Sequence, residues 1–389
     1  MRIHRIFGFG AVLTAVLLCV GEAVAADKVT ILRVPDGGIQ PQCVLDSKGV
    51  LHLIYFKGEA AAGDVFYVYS DDYGAKFSRP MPVNSKPGSV IALGNIRGAH
   101  LAIGKNRRVH VAFMGSNKAE PKGSNKETPL IYTRLNEDRT AFEPQRDVIH
   151  SAYGLNGGAS IADDAAGNVY VTWHAGPQPD KQDEKYRCIW VAKSTDDGKT
   201  FAHEKRAFDE PTGACGCCGM RSFADSEGKF YTLYRSATEG IHRDMYLLTS
   251  ADKGATILGE KIHEWNTDSC PMSAMAFGEA KDSVLAAWET DGQVYLTRIN
   301  RKTGQRSEPS AAPGGSKDRK HPVVAGNQRG DIILVWTEGM GWNKGGSLAW
   351  QVFDRSGKPT AEQGHVEGVP VWSLVAVCAR SDGGFTILY

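Results

Sequence analysis

Neither sign of charge predominates in this 389-residue sequence, where 45 Lys and Arg face 44 Asp and Glu. That balance excludes the basic footprint of a nucleic-acid binder, an acidic tail and a polybasic membrane patch. Beyond the N-terminus, no stretch is long and apolar enough to span a bilayer. Helical periodicity is missing as well, which leaves a chain of strands and turns. Glycine, by contrast, is plentiful at 44 residues, as expected where many tight turns need positive φ.

The sequence opens with Arg2, His4 and Arg5, an apolar run from Ile6 to Val20 and the small-residue site Ala23-Val24-Ala25. This pattern predicts a secretory signal over residues 1–25, with cleavage before Ala26 and a periplasmic or extracellular destination. Lipidation at Cys19 is disfavoured, because Leu18 stands where a small residue is needed. Residues 26–389 are expected to form a single domain.

Short alternating segments recur along that domain: Leu51–Tyr55, Val109–Phe113, Val169–Trp173, Phe230–Tyr234, Val284–Trp288, Ile332–Trp336 and Phe385–Tyr389. Each ends on an aromatic residue, roughly 50–60 residues after the last, which is a period suited to propeller blades. A short apolar strand and a turn such as Asp46-Ser-Lys-Gly49 precede most of them, and a third strand follows. The unit therefore reads as a four-stranded antiparallel blade, with strands A to D. Six units fit between about Gly37 and Val371, and Trp372–Tyr389 supplies only A and B strands of a seventh. The unassigned strand Val29–Val34 can complete it and close the ring. The expected fold is thus an all-β propeller of seven blades, the last one short, with six blades as the alternative.

Three third strands run into one turn: Ser194-Thr-Asp196-Asp-Gly198-Lys-Thr200-Phe201, Ser70-Asp-Asp72-Tyr-Gly74-Ala-Lys76-Phe77 and Ser250-Ala-Asp252-Lys-Gly254-Ala-Thr256-Ile257. Its logic is local: the carboxylate accepts backbone N–H groups, Gly takes a left-handed conformation, and the last residue packs inward. These Asp boxes resemble those of the sialidase superfamily. A nearer likeness is to secreted bacterial Asp-box proteins sharing a Cys-x-Cys-Cys cluster with a downstream Cys-Pro-Met, and it implies no activity of its own. The sialidase resemblance implies an arginine triad for a substrate carboxylate, a Tyr nucleophile assisted by Glu, and an Asp acid/base. The family's first arginine sits in an aromatic-Arg-Ile-Pro motif opening the first A strand. Here Leu32-Arg33-Val34-Pro35 precedes that strand, which opens at Gln40-Pro41-Gln42.

Strand direction puts the Asp boxes on one face and the starts of A, ends of B and starts of C on the other. On the second face Arg97, Arg221 and Arg235 are candidates to clamp a carboxylate, sulfate or phosphate. Glu289, Glu338 and Asp244 are candidate acid/base groups, and Tyr153 or Tyr234 is a candidate nucleophile. His174, Trp342 and Trp372 share that face, while the aromatic column reads as core. A wet channel whose charges pair among themselves is the bland alternative.

Seven cysteines follow the signal. Cys215, Cys217, Cys218 and Cys270 fall in adjacent loops of the arginine face, together with Cys188 at a strand start. In an oxidising compartment disulfides are the default, without a pairing that sequence can assign. A Cu or Zn site on Cys215, Cys217, Cys218 and Cys270, or a redox-active Cys217-Cys218 pair, is the sharper alternative. Cys43 and Cys378 would become neighbours on ring closure. The expected function is recognition of an acidic glycan or related anion by a sialidase-like propeller, extending to hydrolysis in the manner of an exo-α-sialidase. A metal-binding or protein-docking propeller without catalysis is the alternative.

Overall fold

The computed structural model describes residues 28–123, 127–315 and 318–389. The expected signal over residues 1–25 lies outside the described residues.

Alternation of apolar and polar residues, broken every few residues by Gly, Asp or Ser, produces short strands joined by tight turns. Strand β1 is Val29–Leu32. Blade one then holds β2 (Ile39–Leu45), β3 (Leu51–Lys57), β4 (Asp64–Ser70) and β5 (Met81–Pro82). Blade two holds β6 (His100–Ile103), β7 (Val109–Met114), β8 (Leu130–Arg134) and β9 (Arg146–Asp147). Blade three is β10 (Ser160–Asp163), β11 (Val169–Ala175), β12 (Cys188–Ser194) and β13 (Lys205–Arg206). Blade four is β14 (Arg221–Ala224), β15 (Phe230–Arg235), β16 (Met245–Ser250) and β17 (Leu258–His263). Blade five is β18 (Ala276–Ala280), β19 (Ser283–Thr290), β20 (Gln293–Asn300) and β21 (Ser310–Ala311). Blade six is β22 (Arg319–Gly326), β23 (Ile332–Glu338), β24 (Gly346–Phe353) and β25 (Pro359–Val369). Blade seven joins β26 (Ala376–Ala379) and β27 (Phe385–Leu388) to β1.

The ring is closed. Each inner strand packs against the next, from β2 through β26 and back to β2. Seven blades are present, the last with three strands, as the repeat predicts. One feature of the closure differs from the other blades: β1 sits beside β27 in the third-strand position but runs parallel to it, Val29 against Phe385 and Leu32 against Leu388. The reason is directional. β1 must deliver the chain to the face where β2 begins, so it runs as a fourth strand does while occupying a third strand's place.

The aromatic column is core, as expected. Trp173, Trp288 and Phe113 are fully enclosed between neighbouring blades, and Tyr55, Tyr234, Trp336 and Tyr389 are buried. The Asp boxes close as the motif predicts. Gly198 N–H donates to Ser194 Oγ at 2.9 Å, and Asp196 Oδ1 accepts Thr200 N–H at 2.9 Å. The other two boxes repeat both contacts. A second motif recurs at the A–B turns, where Asp46, Asp164 and Asp225 each accept two backbone N–H groups, from residues two and four positions on. Both turn types stiffen the same face of the ring. No helix among the described residues is long and apolar enough to cross a membrane.

Candidate functional site

On the face opposite the Asp boxes, the segment Gly94–Gly98 leading into blade two crosses the propeller axis. Asn95 donates to Ser373 O at 3.1 Å, ahead of blade seven. Arg97 donates to Asn156 Oδ1 at 2.7 Å, ahead of blade three. Gln40 donates to Ala92 O and Trp372 O, clasping the segment from blade one. Ile96 presses its carbonyl onto Gly158, where any side chain would collide with it, and Gly219 and Ala274 abut from blades four and five. The axial channel is therefore covered on this face.

That cover separates the three arginines proposed from sequence. Arg97 stays on the surface with Asn156, donating also to Leu93 O at 3.0 Å. Arg221 lies beneath the cover, inside the channel, with Nη1 donating to Gln42 Oε1 at 2.6 Å. Arg235, with no exposed side-chain surface, is turned between blades four and five. It donates to Arg243 O at 2.7 Å and to Glu289 O, lies 3.6 Å from Glu289 Oε2, and stacks on Trp265. The structure does not bring the three together.

Of the proposed acid/base residues, Glu289 is brought against Arg235. Glu289 is buried and accepts Gly292 N–H at 2.7 Å, and burial raises its carboxyl against the opposing pull of Arg235. Asp244 is buried and accepts Trp265 N–H at 2.9 Å. Tyr153 is half-buried and bound through its backbone to Gly176. Trp342 and Trp372 do meet, edge to face at 4.8 Å, with Trp342 58% exposed. They border a small cavity with Met272, Lys320 and His321.

The cysteines converge more closely than any other candidate set. The sulfur atoms of Cys215, Cys217 and Cys218 all lie within 4.8 Å of one another. Cys215 and Cys217 are 3.3 Å apart, and Cys217 is in disulfide contact with Cys270. The turn is held by Cys215 N–H on Arg235 O at 2.9 Å and Gly219 N–H on Ser273 O at 2.9 Å. Burial pushes the Cys218 thiol up, but the Cys215 thiol, the Arg235 guanidinium and the Ser273 backbone outweigh it and bring it to about 7. Cys215 is pushed far up, first by its hydrogen bond with Cys218 and then by burial. The hydrogen bond between them thus favours the proton on Cys215 and the charge on Cys218. Arg187 and Arg243 also face Cys215, and Arg243 faces Cys218. His174, adjoining the turn, is buried with neither ring nitrogen hydrogen-bonded. Burial, then Arg187 and Arg97, bring it to about 3, so the imidazole is neutral.

Cys188 stays apart, its thiol directed to Tyr186 O at 3.7 Å. Cys43 and Cys378 are neighbours across the ring closure, and the Cys378 thiol raises that of Cys43.

In sequence, no family model and no curated protein matches the chain. In structure it is similar to the Hadza microbial sialidase Hz136, with TM-score 0.53 at 10% identity over 85% of this chain and 74% of that one. An α-L-arabinanase of Penicillium chrysogenum, solved with arabinobiose, gives TM-score 0.52 at 13% identity over 83% of this chain and 95% of that one. The Trypanosoma rangeli sialidase, solved with the inhibitor DANA, gives 0.50 at 12% identity over 80% of this chain and 56% of that one. The fold is that of the sialidase-like propellers.

Within this sialidase-like propeller, Arg33 has a structural task. It donates to Gly368 O at 2.7 Å and lies 3.9 Å over the Tyr389 ring, locking the closing blade. Sequence reasoning missed Arg187, because it ends an excursion whose polar composition reads as solvated. Its position directly before Cys188, at a strand start on the cysteine face, was the available signal.

Proposed function

We propose that this protein is a secreted binding propeller whose reduced cysteine cluster holds one thiophilic d10 ion, Cu(I) or Zn(II). The observation that carries this reading is the convergence of three cysteine sulfurs within 4.8 Å, beside Cys270 and faced by Arg187, Arg235 and Arg243. Thiolates are the ligands such ions select. Two or more thiolates around one such ion leave a net charge of zero or below, and nearby guanidiniums favour their ionisation. The Cys218 thiol, brought to about 7, yields its proton readily to a metal, whereas Cys215, pushed far up, gives up its proton only on binding. With Cys217 and Cys270 joined, Cys215 and Cys218 remain as thiols. A two-electron reduction by a thiol or phosphine releases the other two sulfurs as thiols.

The test is an anaerobic titration of phosphine-reduced protein with Cu(I) or Zn(II) against a chromogenic chelator. One equivalent per chain is expected, with thiolate-to-metal charge transfer for Cu(I). Cys217→Ser/Cys218→Ser should weaken binding at least about a hundredfold. Unchanged binding in that variant would sink the reading, as would failure of the wild type to compete for either ion. The stronger competitor identifies the metal.

A second reading, recognition of an acidic glycan, is favoured by the exposed Trp342 against Trp372 beside Lys320. Sugars stack on such faces, and the similar propellers include sialidases and an arabinanase. It stops at binding, because Glu289 and Asp244 are buried. Titration with a sialylated trisaccharide should quench tryptophan fluorescence saturably, and Trp342→Ala should abolish the response. An equal response to the neutral, desialylated sugar would refute acid recognition.

A further inference from the structure

The channel beneath the cover is a well. Its floor is Arg221, and a cavity of ≈ 360 Å³ runs from there to the A–B turns, lined by Ser47, Ala165 and Ser226 at that end. The mouth therefore lies on the Asp-box face, opposite the surface considered above. Leu45, Leu101, Ile161, Phe223 and Phe277 contribute apolar wall.

Arg221 is the unusual member of this cavity. Several buried guanidiniums elsewhere in the ring have carboxylates: Arg235 meets Glu289 at 3.6 Å, Arg319 meets Glu338 at 3.2 Å, and Arg134 meets Glu143 at 2.8 Å, whereas Arg187 bonds to the Gln182 and Asn156 carbonyls. Among the described residues, no carboxylate comes within ion-pairing distance of Arg221. Its hydrogen bond to the neutral Gln42 satisfies one of five donors. The nearest titratable groups are the Cys43 thiol and His100, whose Nδ1 lies 3.1 Å from Ser160 Oγ. Burial lowers the guanidinium to about 10, which reflects a cation lacking a counter-charge.

Most acids at the mouth are engaged locally. Asp46 pairs with Arg107 at 2.9 Å and Glu279 with Arg301 at 2.6 Å, while burial raises the Asp163 carboxyl well above the usual carboxylate range. Asp164 and Asp225 hold their own turns. Arg221 is left as the unmatched charge at the end of a largely apolar-walled shaft. Arg221 is half-buried, and a carboxylate entering the cavity can accept two parallel N–H bonds from its guanidinium.

We propose that this well binds a small organic monocarboxylate, its head on Arg221 and its short apolar body directed toward the Asp-box face. The site is independent of the cysteine cluster and of the tryptophan pair, both on the other side of the cover. An arginine that sequence reading assigned to a glycan face would thus serve a different ligand from the opposite mouth.

Thermal melting in butyrate, at constant ionic strength, should show a saturable rise in Tm that butyramide does not reproduce. Arg221→Gln should abolish the rise. An equal response to butyramide, or a rise retained in Arg221→Gln, would overturn the assignment, as would no response in the wild type. Should that variant fail to fold, crystals of the wild type soaked in 3-bromopropionate decide the matter. A bromine anomalous peak inside the well supports the site, and its absence there refutes it. Cu(I) or Zn(II) titration of the same protein tests the cluster separately, so the two proposals can fail independently.

Discussion

Excising Lys28–Val34 is expected to destabilise the propeller by on the order of 5 kcal/mol, comparable to the whole margin of many domains. Val29 and Ile31 pack into the core of blade seven, and Leu32 and Val34 into the seam with blade one. Backbone bonds join Phe385 N–H to Lys28 O at 2.8 Å, Val34 N–H to Tyr389 O at 2.9 Å and Tyr389 N–H to Leu32 O at 3.1 Å. Loss of the segment leaves β27 with an open edge and Phe385 and Ile387 uncovered, a combination that invites edge-to-edge pairing. Urea unfolding and light scattering measure both effects. A shortened protein that stays monodisperse and unfolds within about 1 kcal/mol of the full chain would show that closure is not carried by β1.

Replacing Arg235 by Met should cost about 3–5 kcal/mol, the range for removing one partner of a buried ion pair. The guanidinium has no exposed surface and serves Glu289, two backbone carbonyls and the Trp265 ring together. Its loss strands the Glu289 carboxylate, already raised by burial, with Arg235 as the first group opposing that rise. The same substitution removes a cation that holds the Cys218 thiol near 7, so that thiol should titrate at higher pH. Denaturant unfolding reads the first effect and the pH dependence of alkylation the second. Arg235→Lys should restore part of the alkylation profile if charge is the cause. A stable Arg235→Met protein with an unaltered profile would refute both arguments.

Much of the fold was legible because blade repetition writes itself into sequence at short range. Trp173 and Trp288 mark one position in successive units, and the turn at Asp196 depends on contacts within six residues. The closing role of Val29–Val34 followed from counting strands, whereas its parallel direction did not, since antiparallel pairing is the habit of every other blade. The site was legible only in part. Strand direction assigns a residue to a face but not to a depth. Arg97, Arg221 and Arg235 therefore shared a face on paper, yet occupy the surface, the channel and the space between blades. The cover that divides them is Gly94–Gly98, and nothing in Gly-Asn-Ile-Arg-Gly announces a crossing of the axis. The cysteines fared better, because Cys215, Cys217 and Cys218 are confined by one turn; Cys188, sharing only their face, stayed apart.

The parallel β1 also sets an order of events during synthesis. Val29–Leu32 finds its partner only when Phe385–Leu388 has been made, roughly 350 residues later. Until then the growing chain holds an unfinished arc with two raw ends, and bringing those ends together carries the largest loop-closure entropy in the molecule. Blades one to six can each form from neighbouring segments as they emerge, but the ring cannot exist before its last strand. A nascent chain arrested short of β27 should therefore show protease-resistant blades in its interior and protease-sensitive sequence at Lys28–Val34.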